Sequence, residues 1–229
     1  MPPSLASWSP ADLAAWLDAL ALVARGFWGP DPQLGRALAS PDLPGEMDRL
    51  AGLLGPAGGA RAREFAARAG EISQAEAAPE LLEEAYVKLF VNRPGGAPAP
   101  LYQSCYTGTD RRLMGPAAQR MAARLAAAGL AVNGPGGEPP DHLAAELEYL
   151  FGLVEAAAQG GGAAWDGVAE FAGGELAGWL PAWRAALEAA GATADPGGRE
   201  GPEEAAGAGV AFYQAAAGLL AALLRPAAD

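Results

Sequence analysis

Side chains able to do covalent or proton-transfer chemistry are scarce in this sequence, which holds one cysteine, Cys105, and one histidine, His142. A thiolate and an imidazole together make a nucleophile and its base. Here they stand thirty-seven residues apart, and no elbow or oxyanion-loop motif surrounds Cys105. A buried structural cysteine is the expected reading. One His and one Cys cannot build a His-rich or Cys-rich zinc site. A ferritin-type di-iron site needs a Glu-x-x-His pair from each of two helices, and a single histidine cannot supply it. Glu146 and Glu148, two residues apart on an expected helix, fall on different faces and read as part of a solvated surface. No Walker-type loop and no strand-linked GxGxxG is present, so no phosphate cradle is encoded and no cofactor is expected.

What remains distinctive is Glu138-Pro139-Pro140-Asp141-His142. The prolines stiffen the approach to a helix, and Asp141 is placed to cap its first free amides. Two readings stay open at this point. The block is either a well-capped helix start, or two carboxylates and an imidazole at the mouth of a cleft, where ligand sites often lie.

The formal charge is −12 and the isoelectric point about 4.5. Such a field repels nucleic-acid phosphates, which need Lys and Arg to neutralise them, and it disfavours anionic lipid. It suits a cationic partner such as a basic peptide, although acidity also serves solubility. A lone cysteine forms no internal disulfide and fits a reducing compartment. The first ten residues lack a basic region followed by an apolar run, so no signal peptide is expected. No run of eighteen apolar residues escapes charge, Gly or Pro, so no membrane span is expected. A cytoplasmic location follows as the expectation.

The elements that must position these residues are helices. Val, Ile and Thr number only eleven in 229 residues and are scattered, while Ala, Leu, Glu and Arg dominate. The fold class is therefore all-α, with about ten helices. Ser9-Pro10-Ala11-Asp12 is a start signal, and Leu13, Trp16, Leu17 and Leu20 follow with one-face spacing. That helix is expected to end near Gly26 to Pro30. Further helices are expected at 32–39, 45–54, 58–69, 79–90, 116–128, 141–159, 163–172 and 175–190. A last one carries Phe212, Leu219, Leu220, Leu223 and Leu224, beyond a Gly/Pro/Glu-rich stretch from Asp195 to Gly207. Residues 92–109 form a turn-rich stretch whose Pro98, Pro100, Tyr102 and Tyr106 are expected to pack on the body. Asn133-Gly134-Pro135-Gly136-Gly137 is the strongest breaker. It divides an N-terminal helical part, 1–132, from a C-terminal one, 141–229, with residues 133–140 as hinge and motif loop.

Three blocks in order resemble the TorD/DmsD/NarJ family of redox-enzyme maturation chaperones. The first is Tyr86-Val87-Lys88-Leu89-Phe90-Val91 with Pro100-Leu101-Tyr102-Gln103-Ser104-Cys105-Tyr106. The second is Glu138-Pro139-Pro140-Asp141-His142 running on to Leu147-Glu148-Tyr149-Leu150. The third is Phe171 through Trp179-Leu180-Pro181-Ala182-Trp183, with Phe212-Tyr213 in the last helix. Gln103 stands where the family usually has an acid, and Glu175 where it often has histidine.

The resemblance implies a TorD-like helical bundle that binds the twin-arginine leader, or the apo catalytic subunit, of a molybdenum-containing oxidoreductase, and is not an enzyme. It places Leu89, Phe90, Pro100, Glu138, Asp141 and His142 on the leader-contacting surface. Glu138 and Asp141 would receive arginine in charge-assisted bonds, and Tyr102, Tyr106 and Phe90 would cover the apolar part of the peptide. His142 would orient Asp141 or touch the peptide. A monomer is compatible with this picture, as is a dimer exchanging halves through the hinge. Two other functions compete: an all-helical adaptor for an unrelated protein, and a hydrolase using Cys105 or His142.

Overall fold

The structure, a computed structural model, describes residues 4–91, 96–108, 112–131, 137–192 and 202–228, the last from the backbone alone over 202–206. Among the described residues 79% are helical and none lies in a strand. Most helices begin where the sequence punctuates. α1 (Pro10–Trp28) is capped by Ser9, whose hydroxyl accepts from the Asp12 amide, and it ends at Gly29, whose φ of 113° few other residues tolerate. α2 (Pro32–Leu38) is capped by the Asp31 carboxylate at the Leu34 amide. α3 (Leu43–Leu53), α4 (Gly55–Gln74) and α5 (Ala78–Phe90) complete the first part. α4 is longer than its glycine-rich start suggests, because Phe65, Ala69 and Ile72 bury a continuous face.

A four-residue helix, α6 (Ser104–Thr107), lies inside the stretch read as turns, and α7 (Pro116–Ala127) follows it. α8 (Leu143–Gly160) and α9 (Ala164–Glu170) come next. Gly173 and Gly174 do not break the chain. A π-helical turn over Phe171–Leu176 joins α9 to α10 (Ala177–Ala192). α11 (Pro202–Ala228) begins five residues before the end of the stretch expected to separate it. The breaker at 133–137 lies outside the described residues except for Gly137, and so does most of the stretch from 195.

The core is one cluster, built by helices from both sides of residues 133–140. α11 packs on α4, α5 and α10, and α1 packs on α8. The Trp16 indole donates to the Leu223 carbonyl at 3.0 Å, tying α1 to α11. Phe27, Phe90, Trp183 and Tyr213 meet edge-on or tilted at centroid separations of 5.1 to 6.3 Å. Over Gly207–Ala228, α11 is long and apolar enough to cross a membrane by length and composition, but 72% of that window is buried in the bundle.

Close approach of α11 to α5 depends on Gly209. A Cβ there would stand 2.5 Å from the Leu81 carbonyl oxygen and 2.7 Å from the Ala85 Cβ. Because the first of these is backbone, Gly209→Ala must push the helices apart. Thermal unfolding is expected to show a loss of roughly 1–3 kcal/mol; an unchanged midpoint would mean the two helices are not held at this separation.

Candidate functional site

The motif block and the proline-aromatic loop are held together by backbone. Tyr102 and His142 form an isolated antiparallel bridge. The Leu143 amide donates to the Leu101 carbonyl at 2.7 Å, and the Gln103 amide to the Asp141 carbonyl at 3.0 Å. Asp141 adds its side chain, Oδ2 accepting from the Ser104 amide at 2.8 Å. That amide opens α6, so the carboxylate meets an otherwise unpaired donor.

This differs from the expected role of Asp141 in two ways. The cap of α8 is His142, whose Nδ1 accepts from the Ala144 amide at 3.2 Å. Asp141 instead caps α6 across the loop, and with 0% exposure it offers no carboxylate to solvent. The physical reason is competition: a buried amide of the neighbouring loop reaches the carboxylate before any ligand can.

His142 is 2% exposed and lies between two rings. Trp28 stacks on it at 4.7 Å and 3°, and Tyr102 meets it edge-on at 5.2 Å. Burial holds its pKa down at about 4, so it is neutral at pH 7. Acceptance at Nδ1 leaves its proton on Nε2. The imidazole therefore braces two rings and caps a helix. Cys105 is buried one residue into α6.

The other expected site residues divide by burial. Leu89 and Phe90 face the core, because the last turn of α5 continues the Leu82–Ala85 face inward. Neither offers a contact surface in this conformation. Pro100, Tyr102, Tyr106 and Glu138 are half-buried. The Tyr102 hydroxyl donates to Glu138 Oε2 at 2.5 Å, and burial together with this bond raises the phenol well above its ordinary range. Tyr106 stacks on Trp179 at 5.5 Å.

Glu146 departs furthest from its expected solvated place. It is 1% exposed, and its Oε2 accepts from the Trp179 indole at 3.1 Å. It does lie on a different face from exposed Glu148, but that face is the inward one, shared with Leu143, Leu147 and Leu150. Burial, with the nearby Asp141 charge, pushes its pKa well above the ordinary carboxylate range and so favours the neutral carboxyl.

The two departures from the family pattern meet in space. Gln103 Nε2 donates to Glu175 Oε2 at 3.1 Å. Arg120 and Arg124 of α7 reach the same carboxylate at 3.4 and 3.5 Å.

Trp28 was not among the residues the motifs single out. Its indole N–H donates to Glu148 Oε1 at 2.7 Å, and both residues line a groove of about 1040 Å³ between α1, α2 and α8. None of the eight expected site residues lines it. No local motif marks Trp28, a half-buried aromatic at the end of α1.

With this geometry in view, the comparison with known families is decisive. The family model of the nitrate reductase delta subunit matches residues 54–185, more than half of the chain. The chain belongs to this family. It is thus a maturation chaperone of the NarJ/TorD type, in a family that serves molybdoenzyme assembly rather than catalysis. The match includes α4 to α9 and ends within α10, and so contains both the Pro100–Tyr106 loop and the Glu138–His142 block of this chaperone. No curated protein and no solved structure matches the chain significantly.

Proposed function

We propose that this chaperone works in the cytoplasm, binding the twin-arginine leader or the apo form of a molybdenum-containing oxidoreductase's catalytic subunit while cofactor is inserted. The observation that carries this reading is the clasp between residues 99–107 and 137–143 inside the family match. Asp141 and His142 serve there as supports, fixed by the Ser104 amide, the Ala144 amide and two rings. Leu89 and Phe90 seat the loop from beneath: the Ala99 amide donates to the Leu89 carbonyl at 3.0 Å. Glu138, Pro100, Tyr102 and Tyr106 then form the partly exposed edge that meets the client. Glu138 offers the negative charge, and the −12 net charge draws a basic peptide toward it.

A calorimetric titration tests this. A leader peptide, and separately the apo catalytic subunit, of a molybdoenzyme from the same organism should bind one to one. Affinity should fall with added salt, since the participating charges are partly exposed. Glu138→Gln should weaken leader binding roughly threefold to tenfold, as expected for one partly exposed charge-assisted bond. Absence of heat with both clients would sink the function; full affinity in Glu138→Gln would remove Glu138 from the contact.

A further inference from the structure

We infer that the groove between α1, α2 and α8 is an arginine receptor, in which Trp28 carries a guanidinium on its uncovered surface and Glu148 binds it. This rests on the reading that the client is a basic peptide, and it adds a contact for that peptide outside the motif block. The α1 and α2 wall precedes residue 54, so it lies outside the stretch matched to the family.

Four observations lead here. First, Glu148 is exposed, and its Oε1 is pinned by the Trp28 indole at 2.7 Å. Its second oxygen is unengaged among the described residues. Second, His142 covers one face of the indole and the half-buried remainder lines the groove. Because that imidazole is neutral at pH 7, it does not repel an arriving cation. Third, the same groove already holds a guanidinium–carboxylate pair, Arg25 with Asp31 at 2.9 Å. Asp31 is fully used, its other oxygen accepting from the Leu34 amide at 2.6 Å. Glu148 is thus the open carboxylate of this wall. Fourth, half-buried Leu22 and Phe151 supply apolar surface beside it, and about 1040 Å³ accommodates several residues rather than one side chain.

An indole and a fixed carboxylate select arginine over lysine. The planar guanidinium can lie flat on a ring while donating in its own plane, whereas an ammonium is a compact, strongly hydrated point charge.

The test uses the full chain and two synthetic peptides of about fifteen residues, one with adjacent arginines before an apolar segment, the other with lysines in their place. Calorimetry should show the arginine peptide binding about tenfold more tightly to the wild type. Trp28→Leu and Glu148→Gln should each cost about tenfold for the arginine peptide and leave the lysine peptide within about threefold. Glu148 is exposed, so its variant keeps the fold even if Trp28→Leu does not. Equal affinity of wild type and Glu148→Gln for the arginine peptide overturns the receptor while leaving peptide binding intact. If the wild type binds neither peptide, the receptor and the leader-binding reading fall together.

Discussion

His142→Phe should make the protein gain stability, relative to wild type, as pH falls from 6.5 toward 4. In the unfolded chain the imidazole takes a proton near pH 6.5, but in the folded protein only near 4, because burial between Trp28 and Tyr102 excludes the charged form. The unfolded state therefore binds more protons across this window, and acid favours unfolding. A pKa held down from 6.5 to about 4 is worth about 3 kcal/mol once pH is below both values. Phenylalanine keeps a ring against Trp28 but loses the bond to the Ala144 amide, which costs about 1 kcal/mol at every pH. The variant should thus be weaker than wild type at pH 7 and stronger at pH 4. Urea unfolding at pH 4, 5.5 and 7 reads this crossing directly; a stability difference that stays constant with pH would show that the histidine is not held neutral.

Glu146→Gln should act with the opposite sign. A carboxyl whose pKa is raised on folding, yet ionises near 4.5 when unfolded, costs stability as pH rises above 4.5 toward the folded pKa. Up to the folded pKa the loss grows by about 1.4 kcal/mol per pH unit. Glutamine keeps an acceptor for the Trp179 indole and has no proton to lose. Its advantage over wild type should therefore appear above pH 4.5 and widen toward neutrality. Between about 4.5 and 6.5 the histidine and glutamate contributions run in opposite directions with pH. Each variant exposes the slope of the group left behind. A Glu146→Gln protein within about 0.5 kcal/mol of wild type from pH 4.5 to 8 would return Glu146 to the ordinary solvated class.

These two residues mark where reading along the chain loses its hold. Both belong to the block at 138–148 that carries the family resemblance, so their importance was legible. Their duties were not. Helical spacing puts Glu146 and Glu148 on different faces, but only the approach of α10, bringing Trp179, decides that the Glu146 face is buried. Likewise Asp141 reads as a helix cap from its position before Leu143. Which helix it caps depended on the loop thirty-seven residues earlier delivering the Ser104 amide. Gln103 and Glu175 look like separate departures from a pattern until they are found bonded to each other.

The order of the longer helices and the cap at Ser9 were settled by residue types and short spacings, because each depends on neighbours within about four positions. The packing of α1 on α8, which stacks Trp28 against His142 and opens a groove beside Glu148, was decided by tertiary structure alone. Residues 28 and 142 carry no mutual mark in the sequence. Apolar faces state that burial must occur, and only the shapes of all the helices together choose the partner.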